Sequence, residues 1–284
     1  MSAIDHERLR TWIGRKESKT DTVTAWPVVG LAATLDRHDP EPQPGDAIPP
    51  GWHWLYFLEA RPASELALDG HPRVGGFLPA TGLPRRMWAG GRIDFRRSLK
   101  VGETIRRDSE IVSIEPKEGR SGKLVFVTVR HTVSAAGDVA VVEEHDIVYR
   151  EAAKPGNGPP TGKPAPRDAT WRRELIADPV MLFRYSALTF IGTRIHYDLD
   201  YCREVEGYPG LVVHGPLQTL LMLDLCRRND PRPVKKLDYR ALHPVFHFER
   251  FSINGTSSPD PSRTELWTAN AAGHIAMQAT ACFA

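Results

Sequence analysis

The segment His214-Gly-Pro-Leu-Gln-Thr-Leu-Leu-Met-Leu-Asp-Leu-Cys-Arg-Arg228 places leucine or methionine on nearly every side of a predicted α-helix. Pro216 suits the first turn of that helix, and the two arginines at its far end complement the helix dipole. A helix that is apolar on all sides has to be buried on all sides. The segment therefore predicts a central helix enclosed by a sheet.

Antiparallel strands are predicted on both sides of this helix, from runs in which apolar and polar residues alternate. The runs cover residues 92–99, 104–116, 123–133 and 140–149 before the helix and 246–253, 264–269 and 275–283 after it. Glycine-containing turns at 118–122 and 135–138 separate the earlier runs as hairpins require. Two further helices are predicted, one from the capping Asp178 to about Leu188 and a weak amphipathic one at Leu9, Trp12 and Ile13.

A proline- and glycine-rich segment divides the chain. Residues 154–167 contain five prolines and three glycines, a composition that neither a helix nor a central strand tolerates. We therefore predict an N-terminal domain over residues 1–150, a linker over 151–169 and a C-terminal domain over 170–284. A helix followed by an antiparallel meander, twice over, predicts an α+β double hot-dog fold. The N-terminal half is expected to be the degenerate one, because the long central helix lies in the C-terminal half.

The composition excludes several classes of protein. The chain of 284 residues is long enough to bury a core without a metal or disulfide staple. Its 37 Lys and Arg residues nearly balance 35 Asp and Glu residues, so bulk charge gives no support for nucleic-acid binding. No apolar run approaches the roughly 20 residues that cross a bilayer, and the charged N-terminus is unlike a secretory signal. We expect neither a nucleic-acid partner nor a membrane partner.

The cysteines and histidines give no sign of a metal site. Cys202, Cys226 and Cys282 are widely spaced and odd in number, which predicts neither a disulfide framework nor a metal cluster. The histidines lack the spacing of metal ligands, and no phosphate-binding glycine loop or serine-nucleophile motif occurs. Free thiols fit a reducing compartment, so we expect a cytoplasmic protein without bound metal.

The densest group of polar and aromatic residues lies between the two predicted helices of the C-terminal half. Residues 189–198 read Thr-Phe-Ile-Gly-Thr-Arg-Ile-His-Tyr-Asp, and residues 206–217 read Glu-Gly-Tyr-Pro-Gly-Leu-Val-Val-His-Gly-Pro-Leu. These segments resemble the signature of MaoC-like (R)-specific enoyl-CoA hydratases and 3-hydroxyacyl-thioester dehydratases, in which a G-D-x-N-P-x-H loop precedes a V-H-G helix start. Most of the chain is similar to the two-domain branch with itaconyl-CoA and mesaconyl-C4-CoA hydratases, with looser agreement at residues 75–79 and 87–92.

The resemblance implies a hydro-lyase that adds water to an α,β-unsaturated acyl-CoA. Such a reaction needs a base for the water and a donor for the thioester oxygen, on which negative charge develops. His196 matches the family's catalytic histidine, and imidazole exchanges protons near neutral pH. Gly215 stands at the start of the central helix, where unpaired N–H groups and the positive end of the dipole lie. We assign His196 to the water and the Gly215 N–H to the thioester oxygen.

One position departs from the family pattern. The family's catalytic aspartate lies five residues before the histidine, and this chain has Ile191 there, which cannot orient a water molecule. Three explanations stay open. Asp198 orients the imidazole of His196, or a group of the first half reaches across, either His145 or Glu144. Otherwise the usual activity is lost.

Arginine residues are the candidates for binding the rest of the substrate. Substrates of the itaconyl branch carry a free carboxylate away from the thioester, and a buried arginine binds a carboxylate through two hydrogen bonds. Arg194, two residues before the catalytic histidine, is the first candidate for this clamp. Three arginines of the first half compete with it: Arg85, Arg86 and Arg92. The other expected substrate-binding residues are Thr193, Tyr185 and His214, the last of which fixes the start of the helix.

We therefore predict reversible hydration of itaconyl-CoA or mesaconyl-C4-CoA to citramalyl-CoA by a homodimer, with no cofactor besides the CoA of the substrate. A fatty 3-hydroxyacyl-thioester dehydratase is the alternative within this class. A hot-dog thioesterase is the alternative from another class, and it relies on an acidic residue of the central helix, where Asp224 lies near the far end. A non-catalytic acyl-thioester binding module is the third alternative, because of Ile191.

Overall fold

The computed structural model describes residues 5–119, 122–152 and 162–284. The helices within these ranges are α1 (His6–Arg10), α2 (Ala25–Thr34), α3 (Pro179–Thr189) and α4 (Gly215–Asn229). The strands are β1 (Lys16–Thr22), β2 (Arg85–Phe95), β3 (Thr104–Gly119), β4 (Gly122–Ala135), β5 (Asp138–Arg150), β6 (Trp171–Ile176), β7 (Val234–Ala241), β8 (Arg250–Ser257), β9 (Arg263–Ala269) and β10 (Ile275–Phe283). Across the described ranges, every helix is too short or too polar to cross a membrane.

These strands form one antiparallel sheet in the order β1-β3-β4-β5-β2-β7-β10-β9-β8-β6. The two halves of the chain contribute five strands each, and the order within one half mirrors the order within the other. Strands β2 and β7 pair at the centre, from Gly90 opposite Arg240 to Asp94 opposite Lys236. The two sheets expected from the sequence are therefore joined edge to edge into a single sheet.

Helix α4 lies against the sheet of the C-terminal half and contacts all five of its strands. Every residue from Leu217 to Cys226 is buried. The leucines of this run, with Met222 and Cys226, belong to one hydrophobic core that includes residues of both halves. The prediction of an enclosed central helix is confirmed.

The strands at the two ends of the sheet, β1 and β6, are not predicted from the sequence. Strand β1 has the sequence Lys-Glu-Ser-Lys-Thr-Asp-Thr, which contains no apolar residue. Within the described residues β1 pairs only with β3, and β6 only with β8. An edge strand is held by backbone hydrogen bonds on one side and exposes much of its surface, so it needs little apolar alternation.

Other elements differ from the prediction in extent or were not predicted. The sequence did not predict helix α2 or strand β7. Strand β2 begins at Arg85, before the predicted residue 92, and β8 begins at Arg250, after the predicted residue 246. Phe246 instead forms an isolated bridge with Val212, which ties the segment before α4 to the segment before β8.

Residues 153–161 of the predicted linker lie outside the described residues. On its C-terminal side the chain joins the second half, because Pro164 bridges His274 and the Thr170 N–H donates to the Gly255 carbonyl at 2.9 Å. The domain boundaries at 150 and 170 stay predictions.

Candidate active site

A cavity of about 840 Å³ lies where the two halves meet. The first half contributes wall residues from β2 and β5 and from the segment between α2 and β2. The second half contributes α3, the turn around residue 195 and the start of α4. Of the predicted site residues, those that line the cavity are Arg85, Tyr185, Thr193, His196, His214 and Gly215.

The imidazole of His196 is held by the backbone of the segment that precedes α4. Its Nδ1 lies 2.7 Å from the carbonyl oxygen of Val212, and the Val212 N–H donates to the Ile195 carbonyl at 2.8 Å. A carbonyl only accepts hydrogen bonds, so Nδ1 carries the proton and Nε2 is left as an acceptor. Burial lowers the pKa of His196 to about 4, so the ring is neutral near pH 7 and can accept a proton.

His214 supports His196 from behind and is itself buried. The two imidazoles stack with ring centroids 3.6 Å apart. His214 Nε2 lies 2.8 Å from the hydroxyl of Ser186, and the ring of Tyr185 meets it edge-on at 4.9 Å. Burial holds the pKa of His214 well below its usual range. The contacts link α3 to the start of α4, which agrees with the positioning role predicted for His214.

Gly215 is the first residue of α4, so its N–H has no acceptor within the helix. The residue lines the cavity beside Trp88 of strand β2. A Cβ at this position would lie 2.6 Å from Cε3 of Trp88, closer than two carbon atoms approach without displacement. Glycine therefore allows the indole ring, the helix start and a bound ligand to share this space.

Arg194 and Asp198 face away from the cavity and pair with each other. Arg194 Nη2 lies 2.7 Å from Asp198 Oδ2, and the guanidinium stacks on the ring of Tyr201. The Asp198 carboxylate also accepts the Tyr201 N–H at 2.9 Å. The structure thus does not bring Asp198 to His196, whose ring is oriented by a backbone carbonyl instead. It also does not bring Arg194 to the cavity, because the spacing of four residues favours the local ion pair.

The three arginines of the first half occupy different surroundings. Arg85 lines the cavity but is paired with Glu206 at 2.6 Å and donates to the hydroxyl of Tyr208. Arg92 pairs with Glu144 and Asp146 and is not among the residues that line the cavity. Arg86 lines the cavity and, among the described residues, forms no ion pair. Of the three, Arg86 is the one that lines the cavity without an ion-pair partner in the part of the chain that the structure describes, and its charge acts on the neighbouring phenol of Tyr149.

Comparison with known proteins gives the family. The model for hydroxyacyl-thioester dehydratase type 2 matches residues 51–247. The mesaconyl-C(4)-CoA hydratase of Chloroflexus aurantiacus is 42% identical over 270 residues, which is 95% of each chain. The chain belongs to the hydroxyacyl-thioester dehydratase type 2 family. The mitochondrial enzyme of that name from Schizosaccharomyces pombe is 28% identical, over 80% of this chain and 85% of that one.

Solved structures show the fold that goes with this family. A MaoC-like dehydratase from Phytophthora capsici matches with a TM-score of 0.70 at 12% identity, over 99% of both chains. A Mycobacterium tuberculosis protein with a double hotdog fold matches with a TM-score of 0.57 at 13% identity, over 96% of both. The predicted α+β double hot-dog fold, the MaoC-like resemblance and the assignment to the hydro-lyases are confirmed.

Two questions about acidic residues are answered by the geometry. Ile191 lines the cavity, and Glu144 is occupied by Arg92 and Arg130, so it does not reach the site. Asp224, the residue that a thioesterase would need, is not among the residues that line the cavity. It accepts hydrogen bonds from three arginines instead: Arg37, Arg173 and Arg228. The family and this geometry favour hydration over thioester hydrolysis.

The cavity also contains polar groups that the sequence analysis did not assign. The buried carboxylate of Glu143 lies against His145 and accepts hydrogen bonds from His53, at 2.8 Å, and from Trp54, at 2.9 Å. His71 pairs with Asp69 at 2.9 Å on another part of the wall. The spacing of Asp69 and His71 is a weak signal in the sequence. Their approach to His196, which is 125 residues further along the chain, leaves no signal at all.

Proposed function

We propose that this protein hydrates mesaconyl-C4-CoA to citramalyl-CoA. The observation that carries the proposal is the pairing of two groups at one cavity. His196 presents a neutral imidazole with Nε2 as acceptor, and Gly215 presents the free N–H at the start of α4. His196 accepts a proton as the water oxygen adds to the β-carbon, and the Gly215 N–H stabilises the charge on the thioester oxygen.

The position of the double bond favours mesaconyl-C4-CoA over itaconyl-CoA. In mesaconyl-C4-CoA the double bond is conjugated with the thioester, so negative charge develops on the thioester oxygen when water adds. A backbone N–H can stabilise this charge. In itaconyl-CoA the double bond is conjugated with the free carboxylate instead. The C. aurantiacus relative, a mesaconyl-C(4)-CoA hydratase, supports the same substrate.

Arg86 supports a dicarboxylic substrate over a purely aliphatic one. The free carboxylate of mesaconyl-C4-CoA is bonded to the β-carbon, the atom that water attacks, so its binding group has to lie near His196. The charge of Arg86 lowers the pKa of His71, and the charge of His71 in turn lowers the pKa of His196. All three residues line the same cavity, so Arg86 and His196 can face one ligand. We assign Arg86 to the substrate carboxylate.

The test is turnover of mesaconyl-C4-CoA, itaconyl-CoA and crotonyl-CoA by the purified protein, with products followed by mass spectrometry. We expect mesaconyl-C4-CoA to gain one water, and the His196→Ala variant to lose this activity by about a hundredfold or more. A His38→Ala variant, changed at an exposed histidine after α2, should keep full activity.

Each other outcome overturns part of the proposal. Hydration of crotonyl-CoA alone would assign the protein to fatty 3-hydroxyacyl-thioester chemistry, the activity named for the S. pombe relative. Hydration of itaconyl-CoA alone would make itaconyl-CoA the substrate. It would also contradict the argument that the double bond has to be conjugated with the thioester. Release of free CoA would make the protein a thioesterase.

We further propose that the protein acts as a cytoplasmic homodimer and needs no cofactor beyond the CoA of its substrate. The three cysteines are all free thiols, which supports a reducing compartment. Light scattering tests the dimer: a mass near 32 kDa would show a monomer, because one chain has a mass of 31.7 kDa. Activity that survives treatment with a chelator would support a mechanism without a metal.

A further inference from the structure

Hydration involves two proton transfers, and the roles assigned so far account for one of them. The attacking water loses a proton, and the α-carbon gains one. His196 accepts the first proton, and Gly215 polarises the thioester without transferring a proton. Ile191 lines the same cavity but has no group that carries a proton. The donor to the α-carbon is therefore still to be assigned.

Residues 66–72 of the first half form a closed loop at the edge of the cavity. Leu66 and Pro72 form a bridge at the base of the loop. Inside it, the Ala67 N–H donates to the His71 carbonyl at 2.8 Å. These contacts fix the conformation of the loop, so the side chains that it carries have defined positions.

This loop is docked onto the turn that carries His196. The Arg194 N–H donates to the carbonyl of Asp69 at 2.9 Å. Gly70, with φ of +84°, approaches Gly192 so closely that a Cβ would overlap the Gly192 carbonyl oxygen. The first half thereby places its loop directly against the segment of the second half that bears the catalytic histidine.

The loop presents a carboxylate–imidazole pair to the cavity. Asp69 Oδ2 lies 2.9 Å from His71 Nδ1, and Asp69 Oδ1 accepts the His71 N–H at 3.0 Å. Both carboxylate oxygens are engaged, so the carboxylate cannot rotate freely. A carboxylate oxygen only accepts hydrogen bonds, so His71 Nδ1 carries a proton and donates a hydrogen bond to Asp69. Nε2 of His71 is then the atom that can exchange a proton with a ligand. Asp69, His71 and His196 all line the cavity.

The electrostatic surroundings give the two imidazoles different roles. His196 has a backbone carbonyl as its partner, and burial lowers its pKa to about 4. Burial also holds the pKa of His71 below its usual range, with a contribution from Arg86, although Asp69 and Glu206 oppose this shift. Asp69 thus favours the imidazolium of His71, whereas no carboxylate does so for His196. Burial lowers the pKa of both histidines, but only His71 has a carboxylate partner that stabilises its protonated form, so the pair can divide the roles of acid and base.

The other cavity histidine with a carboxylate partner is less well placed. His145 lies against Glu143, a carboxylate that already accepts from His53 and Trp54. The ring of His145 packs against Trp54, Trp88 and His131, whereas the loop of His71 contacts the turn that carries His196 through Asp69. The His71 pair is therefore the one that shares the reaction centre with His196.

We propose that His71, held by Asp69, donates the proton to the α-carbon in the hydration, a role that rests on the proposed function. A water O–H bond breaks to His196 Nε2 as the oxygen bonds to the β-carbon. The π electrons pass through the enolate to the α-carbon, which takes a proton from His71 Nε2. The cycle leaves His196 protonated and His71 neutral, and proton exchange with solvent restores both. Asp69 acts through His71 as a positioning residue.

The experiment compares kcat and KM for mesaconyl-C4-CoA in the wild type, His71→Gln and Asp69→Asn across pH 5 to 9. We expect His71→Gln to lower kcat by about a hundredfold, with KM changed by less than about threefold. In the wild type kcat/KM falls as the pH rises through the pKa of His71, which burial holds below the usual range of a histidine. Asp69 raises the pKa of His71, so Asp69→Asn should move this fall to lower pH, and His71→Gln should abolish it.

Matched controls are His38→Gln and Asp138→Asn, two exposed positions away from the cavity, which should leave kcat unchanged. The variant His145→Gln tests the other cavity histidine that has a carboxylate partner. Full activity in His71→Gln together with a large loss in His145→Gln would overturn the proposal. An Asp69→Asn variant that loses activity without a shift in the pH profile would show that the pair only holds the loop.

The failure of the proposed function would look different from the failure of this inference. If the wild type hydrates crotonyl-CoA but not mesaconyl-C4-CoA, the proposed substrate is wrong. The same variants then test His71 on crotonyl-CoA, because protonation of the α-carbon is required for either substrate.

Discussion

The two halves of the chain share one strand order but differ in what connects the helix that follows their edge strand to the strand at the sheet centre. In the second half, the connection from α3 to β7 contains the fifteen-residue helix α4. In the first half, the described connection from α2 to β2, residues 35–84, contains only short 3₁₀ turns. A long helix begins with several unpaired N–H groups, whereas a single turn does not provide such a site.

The difference explains why the proposed oxyanion donor, Gly215, lies in the second half, while the first half supplies wall residues. The first half uses its long connection to supply Trp54 and the Asp69–His71 pair as wall residues. The second half supplies His196 and Gly215. The active site therefore depends on both halves, although their sheets are alike.

The largest effect is expected at the ion cluster that holds the halves together. Asp224 of α4 is buried and accepts from Arg37 of the first half at 2.7 Å and from Arg173 at 3.0 Å. Its removal leaves several guanidinium groups without their shared carboxylate. We expect Asp224→Asn to lower the free energy of unfolding by about 3 kcal/mol, measured by urea denaturation.

The matched control for that prediction is Asp230→Asn, just beyond the same helix. Asp230 pairs with the exposed Arg232, and such a pair contributes less than about 1 kcal/mol. Equal stability of the Asp224 variant and the wild type would show that the cluster does not couple the halves.

A smaller effect is expected where the two halves meet at the helix start. In Gly215→Ala the added carbon would lie 2.6 Å from Cε3 of Trp88, so either the ring or the helix start has to move. We expect kcat/KM for mesaconyl-C4-CoA to fall by about 10- to 100-fold, because the N–H no longer meets the thioester oxygen. In the control Gly76→Ala the added carbon has no neighbour within 4 Å. Unchanged kcat/KM in Gly215→Ala would remove Gly215 from the mechanism.

The smallest effect separates recognition of the carboxylate from the chemistry. We expect Arg86→Gln to raise KM for mesaconyl-C4-CoA about tenfold, because a charge-assisted hydrogen bond is lost. KM for crotonyl-CoA, which has no carboxylate, should not change. Arg96→Gln, at an exposed arginine just after β2, is the control. If both substrates lose affinity equally, Arg86 does not recognise the carboxylate.

Local sequence patterns predicted the elements whose stability depends on apolar burial. The helix α4 and the hairpin strands β3 to β5 follow from apolar periodicity and from the turns between them. Strand β1 could not be predicted in this way, because its seven residues are all polar. Its pairing with β3 depends on backbone hydrogen bonds that leave no pattern in the sequence.

The residues of the candidate site likewise divide into those that local sequence patterns predicted and those that they did not. The sequence motif identified His196, in the turn before α4, and Gly215, at the start of α4, which are nineteen residues apart along the chain. The ion pair of Arg194 with Asp198 has the spacing of a local helical pair, a signal present in the sequence that explains why neither residue enters the cavity.

By itself, the sequence determined the buried central helix, the antiparallel meanders, the family and the histidine–glycine pair, since each depends on residues close together in the chain. Only the tertiary structure decided that the halves join through β2 and β7, that Val212 orients His196, and that Asp69 and His71 reach the site. These contacts join distant residues, and they form because both halves bury apolar surface in one core.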